Sequence, residues 1–415
     1  MKNNLKNCVW KLHHKMNTIL FPFAAKFFYF FPVKKNRIVV CNYHGKGYGD
    51  NPKYIVDKIL EHNKDIEVVW LLDKYTNSGV EFPESIKEVQ YYTMKSMYYL
   101  ATAAVWIDNC RKDYAPKKKK EQLYLQTWHG GLGFKLVERR CVEDLPPFYL
   151  KHAKVDAETT DLMLSNSKKT SEIIYDMFWY SGIILEAGLP RNDELFKDVN
   201  KKAEAVRENL GIPKETHIVL YAPTFRDEFN LAPYDIKLNS FAAALEKKFG
   251  GKWIGLYRLH PNIKADASKL MNFNKCIDVT RYADSTALLS ATDVFISDFS
   301  SMVFDFALSK KPVFLYATDY ATYVKTRGVW LSFDNTPFPH AFSNDELMNE
   351  LKKFNANEYE TSLKRMMDNF EIRETGRASD IVAGVVADYI YNGDLEKALD
   401  KFTDTKVEQR YISEL

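Results

Sequence analysis

Several polar side chains directly follow apolar runs that we predict to be strands, and their types suit a phosphate group. The set combines cationic and hydroxyl groups: His129, Thr224, Arg226, His260, Ser300 and Ser301. Histidine and arginine can neutralise phosphate oxygens, and hydroxyls can donate hydrogen bonds to them. The set holds no pair of carboxylates of the kind that glycoside hydrolysis uses. Because the ends of parallel strands face one cleft in doubly wound folds, we expect these side chains to meet there.

Residues 293–319 place two of these hydroxyls at the predicted start of a helix. The apolar run 294–296 is typical of a buried parallel strand, and the apolar residues at 302–308 predict a helix. Ser300 and Ser301 lie between the two. The free N–H groups and the dipole of a helix N-terminus attract anions, so the pattern indicates a phosphate site.

The elements that must position these residues alternate along the whole chain. Apolar runs typical of strands alternate with stretches typical of helices, which predicts an α/β fold with two Rossmann-like, doubly wound domains. The length of 415 residues also favours two domains. A turn-rich stretch at 188–193 is the predicted hinge. We therefore assign residues 1–36 to an N-terminal segment, 37–190 to a first domain and 191–415 to a second.

Composition excludes some classes of function. The net charge of +3 is too small to indicate a nucleic-acid-binding protein. The five cysteines are widely spread and none forms a CxxC pair, so neither a disulfide framework nor a zinc site is predicted. A reducing cytoplasm is the natural compartment for such a chain.

The N-terminal segment 1–36 is basic and aromatic. It carries seven lysines but no acidic residue, and an aromatic run at 27–31 lies among them. Its apolar stretch is shorter than a spanning helix needs, so the segment is predicted to lie on an anionic membrane surface. The alternative is a first helix packed on the body of the protein. The four-lysine run 117–120 is interpreted as a solvated loop, with contact to a membrane or an anionic acceptor as its alternative.

Six stretches, in one order along the chain, resemble the CDP-glycerol:glycerophosphate glycerophosphotransferases, which include the teichoic-acid primases and polymerases of Gram-positive bacteria. The stretches are Thr127-Trp128-His129-Gly130, Gly188-Leu189-Pro190-Arg191-Asn192-Asp193, Tyr221-Ala222-Pro223-Thr224-Phe225-Arg226-Asp227, Arg258-Leu259-His260-Pro261, residues 297–316 and Gly376-Arg377-Ala378-Ser379. The resemblance implies a GT-B fold, in which the first domain holds the acceptor and the second holds a CDP-linked donor. It also implies peripheral attachment to the cytoplasmic face of the cell membrane. The chain departs from the family pattern at 131–133, where Thr-Pro-Leu or similar is expected.

The resemblance also implies roles for the residues introduced above. His129 would be the general base that activates an acceptor hydroxyl. Arg226 and His260 would neutralise the diphosphate as CMP leaves, which makes His129 and His260 the predicted catalytic residues. Ser300 and Ser301 would bind the same phosphates, with Thr224 as a weaker candidate. Two nearby carboxylates, Asp298 and Asp305, are interpreted as structural.

The partners implied are CDP-glycerol or CDP-ribitol and a lipid-linked glycan or polyol-phosphate acceptor. No cofactor is required, although a divalent cation and an oligomer are left open. Two alternatives remain: a nucleotide-sugar glycosyltransferase of the same GT-B fold, and a non-catalytic binding protein on a transferase scaffold. The first is disfavoured because the helix after Ser301 offers only Asp305 where many such enzymes use a pair of glutamates.

Overall fold

The first half of the chain forms a parallel sheet of short, buried, apolar strands. A computed structural model describes residues 20–73, 81–226, 234–259, 276–282, 284–403 and 406–407. The strands of this sheet are β1 (Lys34–Cys41), β2 (Glu67–Leu72), β3 (Lys87–Gln90), β4 (Ala103–Asp108), β5 (Leu123–Gln126), β6 (Leu162–Ser165), β7 (Ile183–Glu186) and β14 (Lys406–Val407). Their order is β14-β7-β6-β5-β4-β1-β2-β3, and only β14, which pairs with β7, is antiparallel among them.

The second half forms a smaller parallel sheet. Its strands are β8 (Thr216–Tyr221), β9 (Lys252–Tyr257), β10 (Ile277–Asp278), β11 (Val294–Ser297), β12 (Val313–Tyr316) and β13 (His340–Ala341), in the order β10-β9-β8-β11-β12-β13. The central strands are apolar along their length because helices cover both faces of the sheet. Two parallel sheets of this kind confirm the predicted pair of Rossmann-like domains in a GT-B arrangement.

Helices connect the parallel strands, as right-handed crossovers require. In the first half they are residues 20–29, Asp50–His62, Met94–Thr102, Pro147–Thr159 and Lys168–Met177. In the second they are Val199–Leu210, Leu238–Phe249, Ser285–Ala291, Met302–Ala307, Tyr320–Arg327, Asn344–Lys353, Ala356–Asn369, Ala378–Asn392 and Leu395–Phe402. Among the described residues, 3₁₀ helices lie at Glu138–Asp144, Pro190–Leu195 and Phe333–Asn335.

The end of the chain returns to the first domain, which differs from the predicted boundary of 191–415. The helix Ala378–Asn392 buries Val382, Val385 and Val386 in the core of the first domain, and β14 extends the sheet of that domain. The reason is its apolar face, which the first domain accommodates beside β1 and the helix Asp50–His62. Residues from about 378 onward therefore belong structurally with the first domain.

The described part of the N-terminal segment has one packed face and one exposed aromatic face. Phe21 and Ala24 are buried against Met97. On the other side Phe23 is 72% exposed and Phe30 is 85% exposed. Residues 1–19 lie outside the described residues. Within the part of the chain that the structure describes, no helix has the length and apolarity to span a membrane.

The four-lysine run divides into two kinds of side chain. Lys118 pairs with Asp161 at 2.8 Å, and buried Lys119 donates to the carbonyls of Ala101 and Phe31. Lys117 and Lys120 are exposed. Lys119 therefore joins the chain just after the N-terminal helix to the first domain, Lys118 forms an ion pair within that domain, and the other two lysines face solvent.

Candidate active site

A cleft of about 740 Å³ lies where the carboxyl ends of strands from both sheets meet. It is lined by loops that follow β5, β8, β9 and β11, as expected for ligand sites in doubly wound folds. Of the predicted site residues that the structure describes, His129, Thr224, Ser300 and Ser301 line this cleft, and Arg226 does not. His260 lies outside the described residues.

The imidazole of His129 is held in the tautomer that a general base needs. Its Nδ1 is 2.7 Å from the carbonyl oxygen of Asn109, so Nδ1 carries the proton and donates it. Nε2 then keeps a lone pair. The ring stacks on Trp128, with the two centroids 4.4 Å apart. Burial lowers the pKa of His129 below its ordinary value, so the neutral, proton-accepting form predominates at neutral pH.

The backbone around His129 is strained. Trp128 has φ of +51°, and three residues on the neighbouring loop after β1, namely Tyr43, His44 and Asp50, also have positive φ. Such conformations cost a bulky residue about 1–3 kcal/mol and persist only where neighbours enforce them. Here Asn51 donates to the Trp128 carbonyl at 3.1 Å, and the Tyr43 ring lies 5.4 Å from the His129 ring. These strained conformations lie in the segments that place the His129 imidazole at the cleft.

Arg226 organises the wall of the cleft behind the lining residues. Its guanidinium bonds Asp319 through Nε at 2.7 Å, Asp298 through Nη2 at 2.9 Å and the Thr224 carbonyl through Nη1 at 2.8 Å. Asp298 in turn accepts from the backbone N–H groups of Thr224 at 2.8 Å and Phe299 at 2.7 Å, and from the Thr224 hydroxyl. Arg226, which was predicted to bind phosphate, thus forms ion pairs with two carboxylates in this structure. Asp298 has the structural role predicted for it.

The two serines line the same cleft as His129 but come from the second domain. Ser300 Oγ accepts from the N–H of Met302 at 3.3 Å, at the start of the helix Met302–Ala307. A Cβ atom on Gly130 would lie 3.2 Å from Ser301 Oγ, so the loop after His129 closely approaches this hydroxyl. The site therefore brings an imidazole from the first domain and hydroxyls from the second to one cleft.

A strap, residues 130–137, crosses from the first domain to the second. Leu132 and Phe134 are buried in the core of the second domain. The strap also forms backbone hydrogen bonds there, from Leu136 N to the Gly328 oxygen at 3.2 Å and from Trp330 N to the Phe134 oxygen at 3.0 Å. The chain departs from the family pattern in this strap, and a Cβ atom on Gly131 would lie 2.4 Å from the amide of Asn166. A threonine at 131 would clash in this arrangement.

The sequence matches the family described as CDP-Glycerol:Poly(glycerophosphate) glycerophosphotransferase over residues 23–388. The chain belongs to this family. The resemblance stated from its motifs is therefore confirmed.

Named relatives of this family member act in teichoic acid synthesis. The chain is 28% identical to the teichoic acid poly(glycerol phosphate) polymerase of Bacillus subtilis (strain 168), over 91% of this chain and 51% of the relative. It is 29% identical to the teichoic acid glycerol-phosphate transferase of Staphylococcus aureus (strain NCTC 8325 / PS 47), over 85% of this chain and 93% of the relative. The chain thus spans about half the length of the first relative.

One solved structure with this architecture comes from a protein that was soaked with CDPG. A variant of the wall teichoic acid polymerase TagF soaked with CDPG superposes with a TM-score of 0.76 at 27% identity. The match covers 94% of this chain and 96% of the TagF chain.

Arg191 joins the two domains of this glycerophosphotransferase family member, a role that the motifs alone did not indicate. It bridges Asp50 of the first domain, at 3.0 Å, and Asp305 of the second, at 2.7 Å. It also donates to the His129 carbonyl at 2.7 Å. Burial by itself raises the pKa of Asp50, but the Arg191 guanidinium holds it below the usual range. Both carboxylates are buried and depend on this one cation.

Two of the six family motifs, 188–193 and 376–379, meet beside this bridge. The carboxylate of Asp193 accepts from the backbone N–H groups of Ala378 at 3.0 Å and Ser379 at 2.7 Å, and so caps the helix Ala378–Asn392. Asn192 donates to Glu374 at 2.8 Å, and burial raises the pKa of Glu374 to about 8. The two motifs therefore fix the points where the chain crosses between the domains. Within the described residues no group of three His, Cys, Asp or Glu side chains is arranged to hold a metal ion.

Proposed function

We propose that this protein transfers glycerol phosphate from CDP-glycerol to a hydroxyl of a membrane-linked, teichoic-acid-type acceptor and releases CMP. The observation that carries the proposal is the His129 imidazole, with its Nδ1 proton fixed by Asn109, in the same cleft as Ser300 and Ser301. Family membership and the TagF structure soaked with CDPG support the donor class.

The geometry supports an in-line displacement at phosphorus. The acceptor oxygen attacks the phosphorus that bears glycerol while Nε2 of His129 takes the hydroxyl proton. The bond from that phosphorus to the bridging oxygen breaks, and CMP leaves with the electron pair. The hydroxyls of Ser300 and Ser301 would donate to phosphate oxygens as negative charge grows on the leaving group, whereas the Thr224 hydroxyl already donates its one proton to Asp298. Arg226 would act by positioning Thr224 and Asp298, and His260 is proposed to assist departure of CMP. The proposal requires no cofactor.

The nucleotide-sugar alternative meets an obstacle in the helix Met302–Ala307, which carries Asp305. A carboxylate that binds a nucleotide ribose must have oxygens available to the ligand. The two carboxylate oxygens of Asp305 instead accept hydrogen bonds from Arg191, at 2.7 Å, and from Asn192, at 3.1 Å. This arrangement favours a transferase that uses a CDP-polyol donor over a nucleotide-sugar glycosyltransferase.

The rate of CMP release should distinguish the candidate donors from one another. With membranes carrying a teichoic-acid-type acceptor, we expect CDP-glycerol to give CMP at a rate at least about tenfold above CDP-ribitol, and UDP-sugars to give no nucleotide product. The measurement is chromatographic separation of the nucleotides over time. Faster turnover of CDP-ribitol would transfer the proposal to a ribitol-phosphate transferase, and turnover of a UDP-sugar alone would overturn it. The polymerase and primase named for ribitol phosphate are 25% and 24% identical to this chain, below the glycerol-phosphate relatives quoted above.

We also propose that the N-terminal segment rests on the cytoplasmic face of the cell membrane. Phe23, Phe27 and Phe30 follow helical spacing and are 72%, 62% and 85% exposed, so they form one aromatic stripe. The opposite face of the helix is packed on the domain, which would hold the stripe outward. Exposed rings with basic neighbours are typical of surfaces that insert into an anionic interface.

Replacing these three rings by serine is expected to weaken binding of the full chain to phosphatidylglycerol-containing vesicles by about tenfold or more. Vesicle co-sedimentation measures the effect. Phe249→Ser, which changes a 46% exposed ring of the second domain, is the matched control and should bind as the unaltered protein does. Equal binding by the triple variant and the control would contradict the proposed contact.

A further inference from the structure

Lys135 brings a positive charge to the cleft without a carboxylate partner. Its side chain lines the cleft with Thr224, Ser300 and Ser301. Among the described residues, its ammonium group has no hydrogen bond or ion pair, and its one aromatic neighbour is the Tyr323 ring, 5.9 Å from Nζ. Burial lowers the pKa of Lys135 to about 8, which reflects a cation poorly solvated and poorly compensated.

The carboxylate that most affects Lys135 is already occupied. Asp298 attracts the lysine through space, but its oxygens accept from Thr224, Phe299 and Arg226. Arg226 and Arg327 lie close enough to oppose the charge of Lys135. A cation withdrawn from water in this way would be further stabilised by an anion that enters the cleft.

The position of Lys135 is fixed by its neighbours in the strap. Phe134 on one side is fully buried, with its ring 5.0 Å from Phe304 and 5.3 Å from Phe333. The backbone of Lys135 forms an antiparallel bridge with Val329. Residues 134 and 135 point to opposite sides of an extended segment, so burial of Phe134 turns Lys135 toward the cleft. The amine is therefore carried by a segment anchored in the second domain that begins beside His129.

We propose that Lys135 binds the glycerol-bearing phosphate of the donor, the one that is transferred. This inference rests on the proposed function. The strap that carries Lys135 begins beside His129, and both residues line one cleft with Ser300 and Ser301. A phosphate bound between the imidazole and the two hydroxyls would therefore lie in the cleft that the amine lines. An ammonium group there would bind the transferred phosphate and neutralise it during attack.

The test compares a ligand that carries this phosphate with one that lacks it. Lys135→Gln should weaken binding of CDP-glycerol by about 10- to 100-fold, measured by calorimetry, because a charge-assisted hydrogen bond is lost. Binding of CMP, which retains only the inner phosphate, should change less than about threefold. Lys135→Arg should recover part of the CDP-glycerol affinity, since it restores the charge. Lys364→Gln, on a side chain that is 74% exposed and far along the chain, should leave both affinities unchanged.

The outcomes separate this inference from the proposed function. If the unaltered protein binds CDP-glycerol and turns it over, but Lys135→Gln binds it equally well, Lys135 is not a donor ligand and the function stands. Equal weakening of CMP and CDP-glycerol would place the amine at the inner phosphate and overturn the assignment. Absence of CDP-glycerol binding by the unaltered protein would instead remove the proposed function.

Chemical modification gives a second readout that a structural role would not move. Reductive methylation at pH 8 should label Lys135 readily, because its low pKa leaves much of the amine neutral. CDP-glycerol should slow this labelling at least about fivefold and CMP should not, as followed by mass spectrometry of the peptide that contains the strap. Equal labelling with and without CDP-glycerol, under conditions where the donor is bound, would contradict the contact.

Discussion

His129→Gln is expected to lower kcat for CMP release by about 10²- to 10⁴-fold. Glutamine preserves much of the volume beside Trp128 but cannot take a proton from the acceptor hydroxyl. The imidazole is not the anchor of the donor in our proposal, so the affinity for CDP-glycerol should change by less than about threefold. Steady-state release of CMP and calorimetric titration of the donor measure the two quantities separately.

The pH dependence of the unaltered protein follows from the same residue. Because burial lowers the pKa of His129 below its ordinary value near 6.5, the base stays neutral into mildly acidic solution. The acid limb of kcat/KM should therefore fall below about pH 6.5, and it should be absent from the residual activity of His129→Gln. His62→Gln, on a 62% exposed side chain outside the cleft, is the matched control for removing a histidine. A kcat for His129→Gln within a few-fold of that control would exclude His129 as the base.

The residues that line the cleft were predictable because topology, rather than side-chain packing, brings them together. His129 follows β5, Thr224 follows β8, and Ser300 and Ser301 follow β11. Parallel strands send their carboxyl ends to one edge, so a polar residue just beyond a predicted strand lies at that edge whatever its neighbours are. The same logic predicted two Rossmann-like domains from alternation alone.

Pairing between distant charges was not predictable in this way. Arg226 finds Asp319, which is far along the chain, and a single sequence offers no means to choose that partner among many carboxylates. Arg226 was therefore predicted as a phosphate ligand from its residue type, whereas the structure gives it a positioning geometry. For the same reason, the packing of the helix Ala378–Asn392 on the first domain was not predictable. Its apolar face predicts burial but does not say against which sheet.

The sequence of the strap contains a pattern that predicts which way Lys135 points. Leu132 and Phe134 alternate with Gly133 and Lys135, which is the period of a half-buried extended segment. That pattern places the lysine opposite the buried rings, and it would have nominated Lys135 beside the six predicted residues.

Arg191→Met is expected to destabilise the protein by about 3–5 kcal/mol, because it leaves two buried carboxylates without their counter-charge. Asp50 and Asp305 belong to different domains and both bond this guanidinium, at 3.0 and 2.7 Å. Urea unfolding followed by tryptophan fluorescence measures the effect. Since Arg191 also bonds the His129 carbonyl, kcat should fall in the folded variant as well.

The matched control is Arg140→Met, which removes a bidentate pair with Asp176 on a side chain that is 52% exposed. Solvent already screens that pair, so its loss should destabilise the protein far less than the loss of Arg191 does. Arg191→Met combined with Asp50→Asn and Asp305→Asn tests the cause directly, because it removes the carboxylate charges along with the cation. If uncompensated charge is the reason for the loss, the combined variant should be more stable than Arg191→Met alone. If it is equally unstable, the hydrogen bonds of Arg191 to the backbone and the packing of its stem hold the domains together instead.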